Sequence, residues 1–125
     1  MNLLLDTQLY LWFLADSRHL TAARRKAIEH AAIVYVSAVS IWEATIKISL
    51  GRLKADPQAL ITGVEPSGFL ELPLRMTHAA PLAHLPFHHR DPFDRLLICQ
   101  AMSESLQFLT TDRTLAPYSN LVHII

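Results

Sequence analysis

Four acidic residues stand where carboxylates from distant parts of the chain could work together. Asp6 directly follows the apolar run Leu3-Leu4-Leu5, and Asp112 directly follows Gln107-Phe108-Leu109-Thr110-Thr111. Both runs read as strands, so each acid closes one. Glu43 falls on the first turns of the helix expected after the β-branched run Ile33-Val34-Tyr35-Val36, and Asp94 on the first turn of a helix opened by Pro92. Ligands of an open parallel sheet bind outside the carboxyl ends of its strands, which is where all four acids belong. Carboxylates gathered there repel one another and cannot all stay ionised without a counter-charge. A hard divalent cation, Mg²⁺ or Mn²⁺, supplies it through a few carboxylate oxygens while keeping several waters. Such a centre suits phosphoryl chemistry, because the cation polarises a phosphate and makes water a better nucleophile.

Each acid also has a plainer use. Asp6 can cap the helix that starts at Thr7, and Glu43 with Lys47 forms an i,i+4 surface pair. Asp91-Pro92-Phe93-Asp94 has the form of an N-cap, a first-turn proline and an acidic third residue, close to a capping box. Asp112 can organise the turn Thr111-Asp112-Arg113. The residues alone leave both readings open at each position.

The elements that would position these acids alternate. Strands are expected at Leu3–Leu5, Ile33–Val36, Phe69–Leu72, Gln107–Thr111 and Leu121–Ile125. Helices are expected over Thr7–Leu14, over Ala22–Ala31 behind a Thr21 cap, from Ser37 or Ser40 to about Leu50 with a stop at Gly51, after Pro57, from Thr77, and from Pro92 to about Ser105. Residues 84–92 read as an irregular loop. Strand–helix alternation gives an α/β fold, a parallel sheet covered on both faces. With 125 residues, no internal repeat and no linker-like tract, residues 1–125 make a single domain, and 51% hydrophobic residues can fill one core. A charged fraction of 18% is too low for a disordered chain, and no apolar run is long enough to span a bilayer. The opening Met1-Asn2-Leu3 lacks the basic flank of a secretion signal, and the lone Cys99 suits a reducing compartment, so a cytoplasmic location is expected.

Taken in order, these segments resemble the PIN-domain ribonucleases, in particular the VapC-like toxins of type II toxin–antitoxin systems. The resemblance begins at Leu3-Leu4-Leu5-Asp6-Thr7 and continues through Val36-Ser37-Ala38-Val39-Ser40-Ile41-Trp42-Glu43, Lys47 and Gly51-Arg52-Leu53. Its most specific piece is His89-Arg90-Asp91-Pro92-Phe93-Asp94-Arg95-Leu96-Leu97 with Gln100-Ala101, and it closes at Leu109-Thr110-Thr111-Asp112. It implies a three-layer fold with a central parallel sheet of four to five strands. It places the family's metal-binding and catalytic acids on Asp6, Glu43, Asp94 and Asp112, with Mg²⁺ or Mn²⁺ as cofactor. Asp91 becomes the helix cap. The implied reaction is hydrolysis of RNA by an activated water, leaving a 5′-phosphate and a 3′-hydroxyl. The implied partners are an RNA substrate, a second copy in a homodimer, and a cognate antitoxin that wraps an apolar groove and can push a basic side chain into the acidic site. No membrane is involved.

Thr7, Lys47, His89, Asp91, Arg95 and Thr111 are the candidates for substrate binding or support around the acids. Lys+Arg 11 balance Asp+Glu 11, so neutralising four acids leaves a surplus of four basic residues for phosphate contacts. His84, His88 and His89 match no strong zinc pattern, and an RNA contact suits His88 or His89 better. Trp12 and Trp42 lie on apolar helices and are expected in the core or an interface, Leu9 and Phe13 in the core or a partner groove. Arg24-Arg25-Lys26 reads as a solvated helix face. A catalytically inactive PIN-like interaction module is the non-enzymatic alternative, which the presence of all four acids opposes. A phospho-receiver domain needs an acidic pair at the first strand and a late lysine, and no Lys follows Lys54. A haloacid-dehalogenase-like phosphatase needs a second Asp where Gln8 stands.

Overall fold

The computed structural model describes residues 1–125. Its strands are β1 (Asn2–Leu5), β2 (Ile33–Ser37), β3 (Leu70–Leu72), β4 (Gln107–Thr110) and β5 (Val122–Ile124). The helices are α1 (Thr7–Leu14), α2 (Ala22–Glu29), α3 (Ala38–Ser49), α4 (Pro57–Thr62), α5 (Met76–Ala79) and α6 (Pro92–Glu104). Two 3₁₀ segments, Ala80–His84 and Arg113–Tyr118, join them; neither has a periodic apolar pattern that the sequence would reveal.

All five strands are parallel, in the order β3-β2-β1-β4-β5. The chain winds outward from β1 through β2 to β3, then crosses back to lay β4 on the other side of β1. The β1/β4 boundary is therefore the topological switch point, where a crevice opens at the carboxyl edge. Successive residues of β1 point to opposite faces. Leu3 and Leu5 join a core layer with Leu9, Tyr10, Leu20 and Ile28 from the α1–α2 side, whereas Leu4 joins Leu97, Ile98, Ala101 and Leu115 from the α6 side. No helix is long and apolar enough to cross a membrane.

The helices that carry Glu43 and Asp94 are fixed at their starts. Ser37 caps α3 by accepting the Val39 N–H at 3.0 Å, and its hydroxyl donates to the buried Gln100 of α6. Gln100 also donates to the Pro73 carbonyl at 3.3 Å, so α6 is tied to the ends of β2 and β3. At the other end of α3, Gly51 adopts φ +71°, and the N–H groups of Gly51 and Arg52 return to the carbonyls of Ile48 and Lys47. This Schellman termination needs a left-handed residue, which is why the helix stops at the glycine.

Candidate metal centre

Asp6 stands directly after β1 and is buried, with both carboxylate oxygens engaged. Oδ1 accepts the Leu9 N–H at 2.7 Å, capping α1, and Oδ2 accepts the Thr110 hydroxyl at 2.6 Å. The helix cap expected from the sequence is thus formed, through Oδ1 alone. Burial pushes the Asp6 carboxyl above its ordinary value; the Thr110 hydroxyl and the Leu9 and Thr111 N–H groups oppose that rise, and Glu43 adds to it. Thr111 contributes its backbone, while the side chain at work is that of Thr110. Parallel register explains this: Leu5 of β1 pairs with Leu109 of β4, so the next residues, Asp6 and Thr110, come side by side. Had β4 been known to neighbour β1, that register would have pointed to Thr110.

Glu43 lies on α3 and is only 7% exposed. Its Oε2 is 3.2 Å from the Lys47 ammonium, the expected i,i+4 pair. Its Oε1 is buried without any hydrogen-bond partner. A buried, unpartnered carboxylate oxygen is costly in a dry fold and is the arrangement a bound cation would relieve. Thr7 donates its hydroxyl to Ser40 of α3 at 2.9 Å, which locks the start of α1 to the turn of α3 just ahead of Glu43.

Asp94 joins this group from the first turn of α6. Its carboxyl is pushed up to about 7, first by burial and then by the negative charges of Asp91, Glu43, Asp6 and Asp112. Carboxylates more than a hundred residues apart in sequence therefore bear on one side chain. Asp91 caps α6 by accepting the Phe93 and Asp94 N–H groups at 2.8 and 3.3 Å, as its sequence context suggests. Asp112 is half-buried. Its Oδ1 accepts the Thr114 N–H at 3.0 Å and the Thr114 hydroxyl at 2.6 Å, and its Oδ2 lies 3.4 Å from His89 Nε2. Ligand atoms of His89, Asp94 and Asp112 all fall within 4.8 Å of one another. The oxygen-rich donor set and the orphaned Glu43 oxygen fit a hard divalent cation.

Arg95 does not face this cluster. Its guanidinium donates to the Leu85 carbonyl at 3.0 Å and stacks on Phe87 at 3.9 Å, pinning the loop before α6. Trp42 is 54% exposed and packs edge-on against Phe93 at 4.9 Å, so it is not a core residue. Leu9 belongs to the core, and the half-buried Phe13 packs against it beside Phe69. Arg24 and Arg25 are more engaged than a solvated face, Arg24 over Trp12 and Arg25 on Asp16 at 2.7 Å.

A family model for the PIN domain matches residues 3–120. The chain belongs to the PIN domain family. PIN domains are generally nucleases that use divalent metals. The fold is shared with VapBC2 from Rickettsia felis, solved bound to a DNA fragment from its promoter, at TM-score 0.73 and 13% identity, covering 100% of this chain and 98% of that one. DNA-bound VapBC from Salmonella typhimurium matches at TM-score 0.68 and 16% identity over 100% and 97% of the two chains. A toxin–antitoxin complex from Klebsiella pneumoniae matches at TM-score 0.64 and 16% identity over 97% and 98%. No curated protein matches this chain in sequence.

Proposed function

We propose that this PIN domain, a single domain over residues 1–125, is a VapC-like toxin: a cytoplasmic, metal-dependent endoribonuclease held in check by an antitoxin. The observation that carries the reading is the crowding of Asp6, Glu43, Asp91 and Asp112 around Asp94, next to a Glu43 oxygen with no partner. Asp6, Glu43, Asp94 and Asp112 would hold Mg²⁺ or Mn²⁺. The chemistry such a cation supplies when bound is polarisation of the phosphate and a lowered pKa for water. The chain's own groups do the rest. Thr110 and the Leu9 N–H fix Asp6 in one orientation, and Lys47 anchors one oxygen of Glu43 while leaving the other free. Asp91 holds the first turn of α6, and with it Asp94, at the carboxyl edge of the sheet.

The toxin–antitoxin complexes among the fold neighbours support an antitoxin partner for this chain, and a homodimer is part of the same proposal. An apolar groove of about 500 Å³ runs beside the edge strand β3, lined by Val36, Ile41, Ile61, Val64 and Phe69 with Glu65 and Glu71. It suits an antitoxin segment that is apolar on one face and basic on its flanks. The deciding experiment sequences RNA ends after induced expression of wild type and Asp6→Asn. New 5′-phosphate ends confined to wild type are expected; identical end profiles would overturn the nuclease reading and favour an inactive interaction module.

A further inference from the structure

The loop before α6 contains a histidine that the metal chemistry does not by itself explain. We propose that His89 is a positioning residue, locked as the Nε2–H tautomer, whose N–H holds the free oxygen of Asp112 toward Asp94. This rests on the reading of the acids as a metal centre.

The Asp91 N–H donates to His89 Nδ1 at 3.0 Å, so the lone pair of Nδ1 is taken. A neutral imidazole has one lone pair and one N–H, so the proton sits on Nε2. Nε2 lies 3.4 Å from Asp112 Oδ2, the oxygen left over once Thr114 has engaged Oδ1. Both ends of the pair hang from one support. The Tyr118 hydroxyl accepts the N–H groups of His88 and His89 at 3.1 and 2.9 Å, and Tyr118 ends the same 3₁₀ segment that Asp112 caps. The His88 ring packs edge-on against Tyr118 at 4.9 Å and stiffens that support.

Proximity alone would equally allow His89 to be a ligand, since its ring nitrogen is among the atoms clustered with Asp94 and Asp112. A ligand needs the Nε2 lone pair, which appears only if Nδ1 gives up the Asp91 N–H and takes the proton. That exchange would unmake the turn that leads into the Asp91 cap. The Asp91–His89 hydrogen bond, with Nε2 in ion-pair range of Asp112 Oδ2 at 3.4 Å, therefore favours a protonated Nε2 behind the carboxylate over a lone pair on the cation, an arrangement that orients a ligand and tunes its basicity. The segment His89-Arg90-Asp91-Pro92-Phe93-Asp94 then reads as one device. The Asp91 N–H aims His89, the Asp91 carboxylate caps the helix that presents Asp94, and His89 aims Asp112.

Two measurements on the whole chain test this. Long-range ¹⁵N–¹H NMR of the uniformly ¹⁵N-labelled protein, with the His89 signals assigned by their loss in His89→Gln, reads the tautomer with and without Mg²⁺. A protonated Nε2 and an unprotonated Nδ1 in both states are expected. A proton on Nδ1 in either state would overturn the proposal. Mn²⁺ affinity by electron paramagnetic resonance should fall about 10- to 100-fold in His89→Ala. His89→Gln, whose amide N–H can reach the Nε2 position, should recover most of that loss. Equal loss in both variants, or none in either, would also overturn it. A wild type that takes up no Mn²⁺ removes the metal-nuclease reading instead, while the tautomer of the metal-free protein still decides the role of His89.

Discussion

Asp94→Asn separates an acid that serves a cluster from an acid that serves a helix, because the two uses predict opposite signs for stability. Burial and the neighbouring carboxylates hold the Asp94 carboxyl up at about 7, against an ordinary value of 3.8. A carboxyl raised on folding is ionised more readily in the unfolded chain. The native state therefore binds the extra proton, and stability falls as pH rises from about 4 to 7. Each pH unit of displacement corresponds to 1.36 kcal/mol, so the ceiling on the cost is roughly 4 kcal/mol, and partial solvent access reduces it to about 2 kcal/mol. Asn keeps the size of the side chain and removes the charge. In metal-free protein at about pH 8 it should therefore stabilise the fold by about 1–3 kcal/mol, with the gain shrinking toward about pH 4. An acid placed only to complement the start of α6 would do the reverse, and Asn would lose about 0.3–1 kcal/mol. Urea denaturation of both proteins in chelator at several pH values measures the difference directly. Saturating Mn²⁺ should reverse the order, because binding stabilises only the protein that keeps its ligands. A variant that is less stable than wild type in chelator at high pH would refute the crowding argument.

Asp94→Asn should also lose nearly all RNA cleavage, whereas Asp91→Asn should keep most of it, since Asn caps a helix about as well as Asp; purified proteins freed of host nucleases, assayed side by side, decide this. Thr110→Val removes the hydroxyl that Asp6 accepts at 2.6 Å and should cost about 1–3 kcal/mol by urea titration, together with weaker Mn²⁺ binding in calorimetry. Arg95→Met should leave Mn²⁺ affinity unchanged, because its guanidinium is engaged by Leu85 and Phe87; limited proteolysis within residues 84–90 should speed up, and a loss of metal binding would show that Arg95 serves the acids after all. Tyr118→Phe should loosen the same loop by removing the acceptor for two backbone N–H groups, seen as faster hydrogen exchange at His88 and His89.

The local signals in the sequence were strong because several act within a few residues. Leu3-Leu4-Leu5 ended by Asp6, the Asp91-Pro92 start and the Gly51 stop each combine an apolar pattern with a capping or breaking residue, and the observed elements begin and end at them. The same patterns assigned the four acids to one edge, because a parallel sheet puts the carboxyl end of every strand, and the start of the helix that follows, there. Chain order does not state which strands are neighbours. That β4 lies beside β1 is a tertiary pairing, and it decides that Thr110 donates to Asp6 while Thr111 offers only its backbone. Side-chain direction is equally invisible in one dimension. Arg95 and Asp94 are adjacent, yet successive residues on a helix point about 100° apart, so one meets the acids and the other meets Phe87. Whether Trp42 is buried depends on what crosses α3, and what reaches it there is the edge of Phe93. The sequence by itself determined which residues could be ligands, because strand ends and helix starts are local properties. Only the tertiary structure decided which carboxylate oxygens remain free. Local caps and pairs take one oxygen each of Asp6, Glu43 and Asp112, but packing brings Thr110 onto the second oxygen of Asp6 and buries that of Glu43 without a partner.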